Sequence, residues 1–143
     1  MHFSGVLRWV AALPMILCVL CGTAVCQYAA EFSSYHNGKR YDFRLTQEQL
    51  AETPAWQNDE PNPPLSVRQA QMVGVESLKK LFDDGDKWRL NDIGLVPVAD
   101  RWVYLIAFEE PPLPGCLDCL SFPFKIVVRM DGLAVPAIIS PSK

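Results

Sequence analysis

Cys116 and Cys119 stand three positions apart in the stretch PLPGCLDCLSFPF, residues 112 to 124. That spacing permits three chemistries: a local disulfide, a thiol pair for redox exchange, or half of a tetrahedral metal site. A redox pair needs its first thiol made acidic, typically by a helix N-terminus. Here Pro114 and Gly115 precede the pair and Ser121 and Pro123 follow it, so no helix is expected to begin there. A zinc site needs two further ligands, and beyond the first 26 residues the only histidine is His36, beside the turn dipeptide Asn37-Gly38, where a solvated ring is expected. The pair Cys116 and Cys119 therefore reads as a structural disulfide that shapes a loop.

The remaining candidates are weaker. Asp83, Asp84 and Asp86 lack the spaced oxygen ligands and terminal bidentate glutamate of a calcium loop, and are expected as a solvated helix end. Glu109 and Glu110 are adjacent in an expected strand, so their side chains diverge and cannot act as an acid and base pair. Nucleophile elbows, phosphate-cradling glycine loops and H-E-x-x-H helices are all missing from the chain. No catalytic, cofactor-binding or metal-ligating set follows, and an enzyme is not expected.

The elements that would position these groups can be read from periodicity. Arg8 precedes an apolar run from Trp9 to Cys21, broken by Pro14 and followed by small residues up to Cys26. That is the order of a secretory signal, with cleavage expected near Cys26. A lipidated cysteine or an uncleaved anchor are alternatives left open. Of the 143 residues, 13 are Lys or Arg and 16 are Asp or Glu, a net charge of −3, and loss of Arg8 with the leader makes it more negative still. Such a surface offers nothing to displace counterions from nucleic acid or to hold an anionic membrane.

Residues 27–63 are expected as an N-terminal strand or hairpin, centred on Lys39 to Leu45, followed by an extended Pro-rich connector with Trp56 as an anchor. From 64 to 143 a helix-plus-sheet domain is expected. Ser66 and Gln69 form a capping box, Ala70, Val73, Ser77 or Leu78, and Leu81 recur at helical spacing, and the helix should run from Val67 to about Asp83. Gly74 in its middle asks for a close approach to a sheet. Four strands follow by alternation, Trp88 to Val96 with a bulge near Asn91-Asp92, Arg101 to Phe108, Phe124 to Met130, and Leu133 to Ile139 around Asp131-Gly132. The expected fold class is thus α+β, one long helix packed on a four-stranded antiparallel meander.

The succession of a helix opened by Pro-Pro-Leu-Ser, the strand RWVYLIAFEE and the pair FKIVVRMDGLAVP resembles the PepSY-like domains over about residues 64 to 139. That resemblance implies a small exported module with a cystatin-like sheet around a helix, and binding or inhibition rather than catalysis. If the helix covers Trp102, Tyr104 and Ile106, then Val103, Leu105, Ala107 and Val127, with Ile138, crowd the opposite face. The N-terminal segment with Tyr41, Phe43 and Trp56 could cover them, or they form a partner surface, a homodimer included. The functional expectation is an exported, non-catalytic protein- or peptide-binding module, with protease modulation as one such role. A thiol-disulfide oxidoreductase using Cys116 and Cys119, or a purely structural envelope protein, are the alternatives.

Overall fold

The computed structural model describes residues 28–57, 59–111 and 122–142. Strand β1 (Tyr28–His36) turns through Asn37 and Gly38, both at positive φ (48° and 68°), into β2 (Lys39–Thr46). Two consecutive left-handed residues match the twist of a two-residue hairpin, which is why Asn-Gly sits there. Thr46 caps the short helix α1 (Gln47–Glu52) with a full capping box. Helix α2 (Val67–Leu81) opens on the expected box, in which the Ser66 hydroxyl accepts from the Gln69 amide. It ends at Leu81, two residues before the expected Asp83, because Phe82 turns extended and drops into the core.

The strands β3 (Arg89–Val98), β4 (Arg101–Glu109) and β5 (Phe124–Arg129) form one antiparallel sheet in the order β3-β4-β5, with the expected bulge between Leu90 and Asp92. The last strand, β6 (Ala137–Pro141), pairs with β2 instead, giving a second sheet in the order β1-β2-β6. The α+β arrangement of one long helix on a four-stranded meander is therefore not the fold of this chain. Among the described residues it is mostly β, with two three-stranded antiparallel sheets and two short helices.

Pro136 supplies the physical reason. The hairpin at Asp131-Gly132 starts as expected, with Gly132 at φ 82° and Arg129 N–H donating to the Leu133 carbonyl at 2.9 Å. It reaches only a bridge between Val128 and Ala134 and one bond from Val135 N–H to Val127. Pro136 has no N–H to continue a ladder, so the chain leaves β5 and is taken up by the open side of β2.

Both sheets contribute to one core with α2. Built onto Gly74, a Cβ would lie 2.8 Å from Ile106 Cδ1 and 3.4 Å from Phe108 Cζ, so the glycine marks the closest approach of helix to sheet. Tyr104 donates its hydroxyl to the Leu65 carbonyl at 2.7 Å, fixing the start of the helix over β4. Tyr41 and Phe43 of β2 pack edge-on against Phe124, which lies on the helix-facing side of β5 opposite Phe108. A serine side chain also joins the two sheets. Ser34 Oγ donates to the Lys125 carbonyl at 3.2 Å and accepts from its N–H at 2.8 Å, taking the place of a neighbouring strand.

Candidate functional site

The ends of β1, β4 and β5 and the start of β3 converge on a depression of about 640 Å³. The inner face of β1 carries Phe32, Ser34 and His36 at alternate positions, and the last of these reaches the depression. Contrary to the expected solvated turn residue, the His36 side chain is only 9% exposed. Its ring meets Phe82 and Trp88 edge-on at 4.7 and 5.0 Å between centroids, while Phe82 and Trp88 stack on each other at 4.9 Å. Nδ1 lies 3.4 Å from Glu110 Oε2, and Asn37 Nδ2 lies 2.8 Å from Nε2. Since an amide nitrogen can only donate, the proton of a neutral ring belongs on Nδ1, facing the carboxylate.

That His-carboxylate pair has two of the parts of a nucleophilic triad, and no side chain of the described residues supplies the third. Ser33 Oγ donates to Asp42 Oδ1 at 2.7 Å, and Ser34 Oγ is engaged at both ends by Lys125, so neither hydroxyl is presented to His36. Among the described residues no group of three or more His, Cys, Asp or Glu side chains could hold a metal ion. Asp84 is tied into the turn after α2, accepting from Trp88 Nε1 at 3.4 Å and, at its carbonyl, from Lys87 N–H. The pair instead locks the end of β1 to the end of β4 over an aromatic wall.

On the outer face of the first sheet, Asp42 is buried among Arg40, Arg44, Ser33 and Glu31. The hydrogen bond from Ser33 and then the Arg40 guanidinium hold its carboxyl below the ordinary carboxylate range, against the opposing effect of burial. Burial pushes the Tyr41 and Tyr104 hydroxyls above their usual range. All three groups serve packing and strand registry.

A second concavity, of about 810 Å³, runs between α2 and the segment 132–137 that Pro136 pulls away from β5. Its walls are Met72, Val73, Leu81, Leu133 and Val135, and Glu76 and Lys80 stand one helical turn apart on the rim. Met72 is 61% and Leu133 58% exposed, so the apolar wall faces solvent.

Of the residues expected to matter, Cys116 and Cys119 lie outside the described residues, as does the leader. Val103, Ala107 and Val127 are buried within the chain and Leu105 is half-buried. Arg129, on the same face of the sheet, donates from Nη1 to the Gln49 carbonyl at 3.4 Å, which places the end of α1 over that face. Tyr41 and Phe43 do not cover it, since they pack on the helix side. The His36 and Glu110 pair carries no sequence motif, since its members come from strand ends more than 70 residues apart. Alternation of Phe32, Ser34 and His36 was the signal available.

No protein-family model, no curated protein and no solved structure matches the chain. The likeness to PepSY-like domains thus rests on the pattern of residues 64 to 139 alone.

Proposed function

We infer that the chain is an exported, non-catalytic module that binds a protein or peptide in the groove between α2 and residues 132–137. The observation that carries this reading is an apolar wall left in water within a concave surface, where Met72 of α2 and Leu133 of the segment 132–137 both line the groove and stand exposed. Single exposed apolar residues are ordinary, but a concavity lined by several, with a few polar groups at its rim, is the usual form of a binding site. The Glu76 and Lys80 pair supplies a rim of both signs to orient a bound segment. Support for export is the basic-apolar-small order of residues 8 to 26.

The test is selection of a random peptide library on the purified protein, with Leu133→Glu and Met72→Glu as parallel baits checked for folding by circular dichroism. Peptides with spaced apolar residues should be enriched on the parent and lose at least about tenfold in affinity on either variant, close to 1.4 kcal/mol. Equal binding to parent and variants would remove the groove from consideration. Mass spectrometry of the protein recovered outside the cytoplasm should find an N-terminus near residue 27, and an intact leader there would refute cleavage.

A further inference from the structure

A third concavity, of about 470 Å³, lies where the Pro-rich connector crosses the β3–β4 hairpin, and it shares no wall with the groove or with the His36 depression. Its walls are Trp56 and Trp102, with Gln57, Asp59, Asp100 and Arg101 around them. The two indoles meet at 66° with centroids 5.7 Å apart, forming a corner, and both remain partly exposed. Trp56 is held in place by donating from Nε1 to the Glu60 carbonyl at 3.1 Å, and Trp102 by its strand pairing opposite Pro97. Asp100 and Arg101 are presented by the two-residue turn Ala99-Asp100, in which Ala99 stands at φ 53°, and their side chains approach to 3.7 Å.

The charges in this wall are mixed and lie in water. Asp59 and Asp100 oppose an anion, while Arg101, 3.7 Å from Asp100, offsets that carboxylate and weakens the pull on a cation. Carboxylate, amide and guanidinium side by side suit a neutral ligand rich in groups that donate and accept together. The tryptophan faces ask in addition for a flat, weakly polar surface whose C–H groups can meet their electron-rich faces. A pyranose ring has both properties: one face of C–H groups, and an equator of hydroxyls suited to carboxylate, amide and guanidinium partners. We propose that the Trp56 and Trp102 corner is a binding site for a neutral saccharide, with Gln57, Asp59, Asp100 and Arg101 as partners of its hydroxyls. Nothing in this assignment depends on the peptide groove.

The experiment is a titration of the purified protein followed by NMR of the tryptophan indole N–H signals, with Trp88, in the separate aromatic wall, as an internal control. The probes are cellobiose, N,N′-diacetylchitobiose and maltose, beside choline chloride as a cation and sodium sulfate as an anion. At least one saccharide should shift the Trp56 and Trp102 signals saturably while leaving that of Trp88 in place. Trp102→Ala should weaken that response at least about tenfold, and Arg101→Gln, which leaves both indoles and the strand pairing untouched, should weaken it with the fold retained. Absence of a saturable shift with all three saccharides overturns the proposal. So does a stronger response to choline or sulfate, or an undiminished saccharide response in a folded Arg101→Gln or Trp102→Ala variant.

Discussion

Replacing Gly74 by alanine sets two effects of known size against each other. In the middle of α2 the alanine gains about 1 kcal/mol of helix propensity. Its Cβ would sit 2.8 Å from Ile106 Cδ1, so that methyl must retreat by about 0.7 Å to reach an ordinary carbon contact of ~3.5 Å. Ile106 is fully buried in a close-packed core, where overpacking costs about 1–3 kcal/mol. The net expectation for Gly74→Ala is destabilisation by about 1 kcal/mol, a fall of roughly 0.5 M in the urea midpoint with an unchanged slope. Ile106→Val removes the obstructing methyl at its own cost of about 0.5–1.5 kcal/mol, leaving only contacts at 3.4 Å. In that background Gly74→Ala should be neutral or stabilising by up to about 1 kcal/mol, so the sign of the glycine substitution reverses. Urea unfolding of the four proteins in this cycle measures the coupling directly. If Gly74→Ala costs the same in both backgrounds, within about 0.3 kcal/mol, the close approach to β4 is not why a glycine stands there.

Ser34→Ala should destabilise by about 1–3 kcal/mol, because the N–H and carbonyl of Lys125 lose their shared partner, and the Lys125 amide should exchange its hydrogen faster in the variant. Ala99→Gly should stabilise by roughly 0.5–1 kcal/mol, since φ 53° is strained for alanine and free for glycine, and a melting temperature below that of the parent would contradict the turn geometry. Asp42 has a native carboxyl pKa below its unfolded value, so its contribution is present above about pH 4 and fades as the pH falls through the lowered native value. Asp42→Asn should therefore be less stable than the parent at pH 7, with the difference closing as the pH falls below the lowered native value, and a gap that widens in acid would show the sign to be wrong.

How far the chain could be read in advance depended on the range of the forces involved. The cap at Ser66, the turn at Asn37-Gly38 and the bulge near Asp92 are set by neighbours within a few residues, and each is found in the structure. A glycine at 74 signals a need for space, but the group that claims it, Ile106, comes from β4. The destination of β6 was not legible. Alternation shows that Ala137 to Ile139 can be a strand, but pairing energy is the same for any complementary edge, and the choice between β5 and β2 turns on a missing N–H at Pro136 and an open side of β2 nearly 100 residues earlier. His36 was misplaced for a similar reason: beside a turn it looks solvated, and only the packing of Phe82 and Trp88 from distant elements buries it.

What the sequence determined by itself was therefore local: the capped start of α2, the tight turns and the alternation that marks strands. Only the tertiary structure decided that the strands divide into two sheets, that Val103 and Val127 are interior, and that Trp56 meets Trp102 across a turn bearing Asp100 and Arg101. Periodicity records which side of an element avoids water, whereas the identity of the surface it meets is settled by contacts between residues far apart in the chain, which no local pattern encodes.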